Sequence, residues 1–212
     1  MKDLREMTVN EFSAVTWSDA PAPGGGSISA LAGCLAASLA GMVANLSQGP
    51  KYDAVKEEMA VIAKDMDALR QALLLAVQQD TESFALYMDA LSLPKNTEEE
   101  KAVRRAAMQN GLKKAAETPL QAAKSIAPIF PLIEKVIMLG NPNAVTDALV
   151  ASMMARTGML GALLNVKINL DGIRDEAYVQ EMLAQVKALE KAALEGEKHI
   201  LSLNPLSAPL GN

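Results

Sequence analysis

Two aspartates, a glycine-rich loop and a group of asparagines are the residues through which this chain could do chemistry. Asp80 is the most informative. An apolar seam of Val55, Met59, Ile62, Met66, Leu69, Leu73 and Ala76 advances in alternating steps of four and three. That is the spacing of a helix face turned toward a partner. Continued, the series reads Asp80, Ser83, Tyr87 and Ala90. A carboxylate on such a seam faces the interior, where lost hydration disfavours its charged form and raises its pKa toward a range useful for proton transfer. The other reading is a helix phase that drifts over this length and leaves Asp80 solvated at the rim.

Asp147 stands one turn beyond Asn143, on a face otherwise made of Ala151, Ala155, Gly158 and Ala162. Asn141, Asn143, Asn165 and Asn169 add amides near the two ends of the same segment. A face of small residues leaves room for a flat ligand, whose edge an acid and amides would hydrogen-bond. The same residues also read as an N-cap, Asn143, followed by an exposed first-turn acid. The run Pro23-Gly24-Gly25-Gly26-Ser27 precedes a helical pattern. Backbone N–H groups at a helix start attract anions. The run has no phosphate-loop lysine and follows no strand, which argues against a nucleotide, and a glycine-rich turn without a ligand fits it equally.

Other chemistries lack residues. His199 is the only histidine and Cys34 the only cysteine. A zinc site of the usual ligands, a Ser-His-Asp triad and a Cys-His pair are therefore not expected. Cys34, inside an alanine-rich helix, reads as a small core residue. It has no partner for an internal disulfide, which fits a reducing, cytoplasmic setting.

The elements that position these groups read as helices. Thr8 and Glu11 form a capping-box pattern, and so do Thr97 and Glu100. Ser27 is the expected N-cap of a helix in which Gly33, Ala37 and Gly41 recur every fourth residue, a stripe that lets another backbone come close. A long helix, or a broken pair in line, is expected from about Asp53 to Leu91, and another helix from Thr97 to about Glu117. Thr118-Pro119 then reads as the N-cap and first position of a new helix, which Pro128 and Pro131 should kink or break. Gly140-Asn141-Pro142-Asn143 is a turn. Helices follow over about 144–165 and 175–203, with a short run at 166–170 resembling a strand. The expected fold is all-α: an antiparallel multi-helix bundle with a long central helix, residues 1–212 forming one domain that dimerises through helices.

Half of the residues are hydrophobic but only 3% are aromatic, and the net charge is −5. This excludes a disordered chain and argues against nucleic-acid binding, which needs a clustered positive face. The N-terminus shows no apolar leader segment. The stretch 28–46 carries no charge and is almost long enough to span a bilayer. Without flanking aromatic belts or one-sided lysines it reads as a soluble protein's central helix, packed on all sides.

The order of these motifs carries a resemblance. Pro-Gly-Gly-Gly-Ser, a small-residue helix with Ala44-Asn45-Leu46, Asp80-Thr81 with Phe84, Gly140-Asn141 with Asn143 and Asp147, and then Asn165-Val166-Lys167-Ile168-Asn169-Leu170 resemble the formiminotransferase-cyclodeaminase C-terminal family. That family includes stand-alone methenyltetrahydrofolate cyclohydrolases. The resemblance covers nearly the whole chain. It implies a homodimer or higher homo-oligomer with a tetrahydrofolate site near the interface. It implies one of two reactions: closure of 5-formiminotetrahydrofolate to the 5,10-methenyl form with release of ammonia, or hydrolysis of the methenyl form to 10-formyltetrahydrofolate. Neither needs a metal or a cofactor beyond the folate substrate. Under the resemblance Asp80 and Asp147 are the catalytic acids. Pro23, Gly24, Gly25, Gly26, Ser27, Asn141, Asn143 and Asn165 bind substrate. Lys51, Arg104, Arg105, Lys113 and Lys114 are candidates for the glutamate tail. The competing reading is a non-catalytic helical module that binds folate or a protein partner.

Overall fold

Small residues fix the centre of the molecule. In the computed structural model, which describes residues 2–204 and Leu206, helix α2 (Gly25–Asn45) lies antiparallel between α3 (Lys56–Ser92) and α6 (Val145–Leu170). A methyl group on Gly158 of α6 would stand 2.7 Å from the Ser29 carbonyl oxygen and 2.8 Å from the Gly33 nitrogen of α2. The two backbones touch there. On the α3 side Gly33 meets Leu73 and Gly41 meets Met66. The glycine stripe read from the sequence is thus what lets α2 sit between its neighbours.

Around this centre pack α4 (Glu98–Ile126), α5 (Ile129–Leu139) and α7 (Glu176–Ser202). One contiguous core runs through α2 to α7, and no strand occurs among the described residues. The expected all-α antiparallel bundle is what forms. On α3 the seam buries Met59, Ile62, Met66, Leu73 and Ala76, and continues to buried Ser83 and Ala90. Both capping boxes form, Thr8–Glu11 ahead of α1 (Val9–Trp17) and Thr97–Glu100 ahead of α4. α1 contains no buried residue and meets the bundle through half-buried Phe12. The domain span expected from the sequence includes Met1, Pro205 and residues 207–212, which lie outside the described residues.

Several expectations are corrected. α2 begins at Gly25 with Gly24 as its N-cap, not Ser27; the Ser27 side chain is occupied elsewhere. α2 is not covered on all sides, since Ile28, Leu35, Met42 and Leu46 remain exposed. The run 166–170 is the last turn of α6, because its apolar positions continue the face set by Ala162 and Leu163. Pro119 lies inside α4 instead of starting a helix. A proline there removes the N–H that would bond the Ala115 carbonyl. The Asn169 side chain supplies the missing donor, its Nδ2 standing 2.9 Å from that oxygen, so the helix continues.

α2 and the stretch Pro142–Leu170 are both long and apolar enough, by length and composition, to cross a membrane. Here they pack on each other, with 67% and 50% of their apolar windows buried inside the bundle.

The α2–α6 contact yields a paired prediction. Gly158→Ala drives a methyl into backbone atoms that cannot rotate away. A strain of about 1–3 kcal/mol opposes a helix-propensity gain of about 1 kcal/mol, so urea denaturation should show net destabilisation. Gly161→Ala meets only the rotatable Ser29 hydroxyl and should cost less. The reverse order would mean that the backbones are not in contact.

Candidate active site

The first turn of any α-helix leaves its N–H groups without intrahelical partners. α2 has no side-chain cap of its own, because its N-cap is a glycine. The partner comes from another helix. Asp80, one step past the apolar stretch of the α3 seam, reaches the first turn of α2 and accepts a hydrogen bond from the Ser27 hydroxyl at 3.1 Å. The Ser27 backbone N–H also favours its charged form. The Ser27 and Thr81 hydroxyls stand 3.3 Å apart. Gly26 makes this approach possible, since a methyl at that position would occupy the place of the Asp80 carboxyl group.

Burial pushes the Asp80 carboxyl above its ordinary value of 3.8; the Ser27 hydroxyl and backbone N–H pull it down, and burial prevails. The side chain is half-buried, so it is desolvated yet reachable. α6 closes the other side of the loop. A methyl on Gly25 would stand 3.0 Å from Asn165 Nδ2, and that amide donates to the Gly161 carbonyl at 2.9 Å. Pro23, Gly26 and Ser27 are buried and support the turn, while Gly25 is exposed. Asp80, Gly24–Ser27, Thr81 and Asn165 therefore form one site: a carboxyl group, hydroxyls and an amide around an open helix start. Such a set can exchange a proton and hold a ligand with polar edges.

Asn141, Asn143 and Asp147 lie elsewhere. The Asn141 backbone N–H donates to Ser47 Oγ at 2.8 Å, and its side chain accepts from the Asn143 N–H at 3.0 Å. Ser47 follows the C-terminal end of α2, whereas Asp80 sits at its N-terminal end. Asp147 and Asn165 belong to the same helix, roughly 27 Å apart at 1.5 Å per residue. Within one chain these candidates form a second cluster and do not join the first. Of the basic candidates, Lys113 is held by Asp175 at 2.7 Å and lies over the Tyr178 ring, and Arg104 donates to the Leu91 carbonyl. His199 pairs with Glu134, and Cys34 is buried.

Reading the sequence missed a further feature. An apolar cleft of about 610 Å³ lies beneath the N-terminal segment, lined by residues that include Phe12, Trp17, Ile28 and Val77. The only signal in the sequence is that Phe12 and Trp17 follow the Thr8–Glu11 capping box within one short helix.

Comparison with known proteins bears on this geometry. A model of the formiminotransferase-cyclodeaminase family matches residues 8–188. A methenyltetrahydrofolate cyclohydrolase of Methylorubrum extorquens is 38% identical over 183 residues, 86% of this chain and 88% of its own. A formimidoyltransferase-cyclodeaminase of Rattus norvegicus is 31% identical over 91% of this chain but 36% of its own length, so the chain spans about a third of that relative. A crystal structure of a formiminotetrahydrofolate cyclodeaminase from Thermotoga maritima superposes with a TM-score of 0.83 at 28% identity, covering 94% of this chain and 96% of that one.

The raised Asp80 pKa makes a prediction about stability. A carboxyl whose folded pKa lies above its unfolded value binds more protons in the folded state between the two values, so stability falls as pH rises through that window. Asp80→Asn removes this loss. In urea denaturation the variant should be at least as stable as the wild type at neutral pH, and its advantage should shrink on acidification through the window. A variant clearly weaker at neutral pH would show that the charged form is the one the fold favours.

Proposed function

We propose, because the chain belongs to the formiminotransferase-cyclodeaminase family, that it is an enzyme of tetrahydrofolate-bound one-carbon units in which Asp80 moves the proton. The observation that carries this is the half-buried Asp80 carboxyl, hydrogen-bonded to Ser27 at the exposed start of α2. Hydrolysis is the first reading, favoured by the cyclohydrolase that is similar over nearly all of both chains. Water attacks the methenyl carbon and Asp80 takes its proton. The bond from that carbon to N5 then breaks as Asp80 passes its proton to N5 and the added hydroxyl loses its own proton to solvent, which leaves the formyl C=O of 10-formyltetrahydrofolate. Cyclodeamination is the second reading, favoured by the likeness to the Thermotoga enzyme. There N10 attacks the formimino carbon on N5, and Asp80 carries the N10 proton to the departing ammonia.

Both reactions need a carboxyl group that changes protonation state within each turnover. A raised pKa brings the two states closer in free energy. Asn165 and the exposed Gly25 amide would hold the polar edge of the pterin. The reading assigns the proton transfers to the chain's own carboxyl and asks for no cofactor beyond the folate. It takes the enzyme to be cytoplasmic, to lie outside the membrane and to bind no nucleic acid.

A homodimer belongs to the same reading. Leu35 and Met42 stand seven residues apart on the outer face of the charge-free α2 and are 45% and 39% exposed. A second copy would cover them, as interface cores resemble domain cores. This pair lies between the Asp80 end of α2 and its Asn141–Asp147 end. A two-fold axis across it would bring the Asn141, Asn143 and Asp147 of one subunit toward the Asp80 of its partner. Sedimentation at micromolar concentration should show a dimer or a larger assembly, and a stable monomer would reject it.

The functional test follows the absorbance of methenyltetrahydrofolate. The wild type should accelerate loss of the methenyl species, or form it from the formimino compound, and dialysis against a chelator should leave that rate intact. Asp80→Asn should lower kcat by about 10²–10⁴-fold with folate binding retained. Near-normal turnover would make Asp80 a bystander, and lost binding at unchanged kcat would make it an anchor.

A further inference from the structure

The cleft beneath the N-terminal segment takes no part in the proton chemistry above, and the two helices that floor it run on toward the same site. Its floor is the groove between α2 and α3. On α2 Leu31 and Ile28 line it, and the same face continues one turn to Gly24. On α3 Leu74 and Val77 line it, and their face continues to Thr81. The helices are antiparallel, so both faces lead to the same end, where the Ser27 and Thr81 hydroxyls stand 3.3 Å apart beside Asp80. From Val77 to Thr81 is about 6 Å along the helix.

The cleft's lining is almost entirely apolar. Arg5 is its one charged residue, and Asp3 holds that guanidinium. The volume of about 610 Å³ lies within the range of small-molecule sites, roughly 300–1,000 Å³. α1 forms the outer wall. The preceding segment is moored by buried Leu4, whose N–H donates to Gln78 Oε1 at 3.0 Å. Beyond that mooring α1 has no buried residue, and Trp17 is 90% exposed. Half-buried Phe12 and exposed Trp17 thus line a cleft whose floor on α3, at Val77, ends one helical turn before Thr81.

We propose that this cleft holds the flat, uncharged aromatic ring of the substrate, and that Phe12 and Trp17 are its specificity-determining wall. The inference rests on the folate reading. The two flat parts of a tetrahydrofolate differ in what they require. The pterin has polar edges and suits Gly25 and Asn165. The p-aminobenzoyl ring, bonded directly to N10, has an apolar face and must lie within a few ångströms of the reacting nitrogens. Aromatic side chains hold such a ring by stacking and by excluding water. The faces of α2 and α3 that floor the apolar cleft lead to the end that carries Asp80 and the amide-bearing loop, as this asymmetry requires.

The test uses Trp17, the only tryptophan. Adding 5-formyltetrahydrofolate or p-aminobenzoylglutamate to the wild type should quench Trp17 emission or shift it to the blue. Phe12→Ala and Trp17→Ala should each raise KM about tenfold, as loss of an aromatic contact worth about 1.4 kcal/mol implies, with kcat changed less than about twofold. Trp17→Phe should restore most of the affinity. Neither side chain is in the buried core, so the variants should fold. Turnover with KM and emission unmoved would overturn the inference and leave the folate reading standing. Variants that break the assembly in sedimentation would overturn it in favour of a subunit contact. A folded wild type that neither turns over nor binds any folate would overturn the folate reading, and this inference with it.

Discussion

The carboxyl group of Asp80 resting on the first turn of α2 is the interaction on which the site depends. A helix that starts at glycines brings no side chain of its own to its exposed N–H groups. Another helix must supply one, and it must come close. Gly26 gives the carboxyl its room; Gly33, Gly41 and Gly158 set the distances of α2 from α3 and α6. Close packing and chemistry are therefore one arrangement. The residues that let the backbones touch also bring a polar group of α3 to the open end of α2.

Two electrostatic effects meet at Asp80. Burial favours the neutral acid, and the Ser27 donors favour the carboxylate. Burial prevails, but the donors limit the shift. Either extreme would be less useful. A fully buried acid without donors would hold its proton too tightly, and a carboxylate with several donors would accept none. A half-buried group with one hydroxyl and one amide stands between these limits. The nearby amides of Gly25 and Asn165 add polarity without adding charge.

Much of this arrangement was legible in the sequence, because helical periodicity is local. The seam from Val55 to Ala76 ran straight onto Asp80, and both capping boxes stood where the structure forms them. What was not legible depends on contacts between distant segments. Pro119 read as a helix start because its replacement donor, Asn169, comes from another helix. Ser27 read as a cap because nothing local shows that its hydroxyl is taken by Asp80. Asp147 and Asn141 read as part of one site with Asp80, since motif order carries no distance; the antiparallel course of α2 and α6 puts them at opposite ends. Which face of α2 stays exposed was not legible for a similar reason. A charge-free helix looks the same whether its last face meets the same chain or another copy.

The central claim, that Asp80 is a proton-exchanging group tuned by burial against Ser27, can be measured at the atom itself. In a carbon-detected NMR titration of side-chain carboxyl groups, with the Asp80 resonance assigned by its loss in Asp80→Asn, the midpoint should lie above the ordinary 3.8. It should rise further in Ser27→Ala, where a donor to the carboxylate is gone. A midpoint at or below 3.8, or one unmoved by Ser27→Ala, would contradict the account.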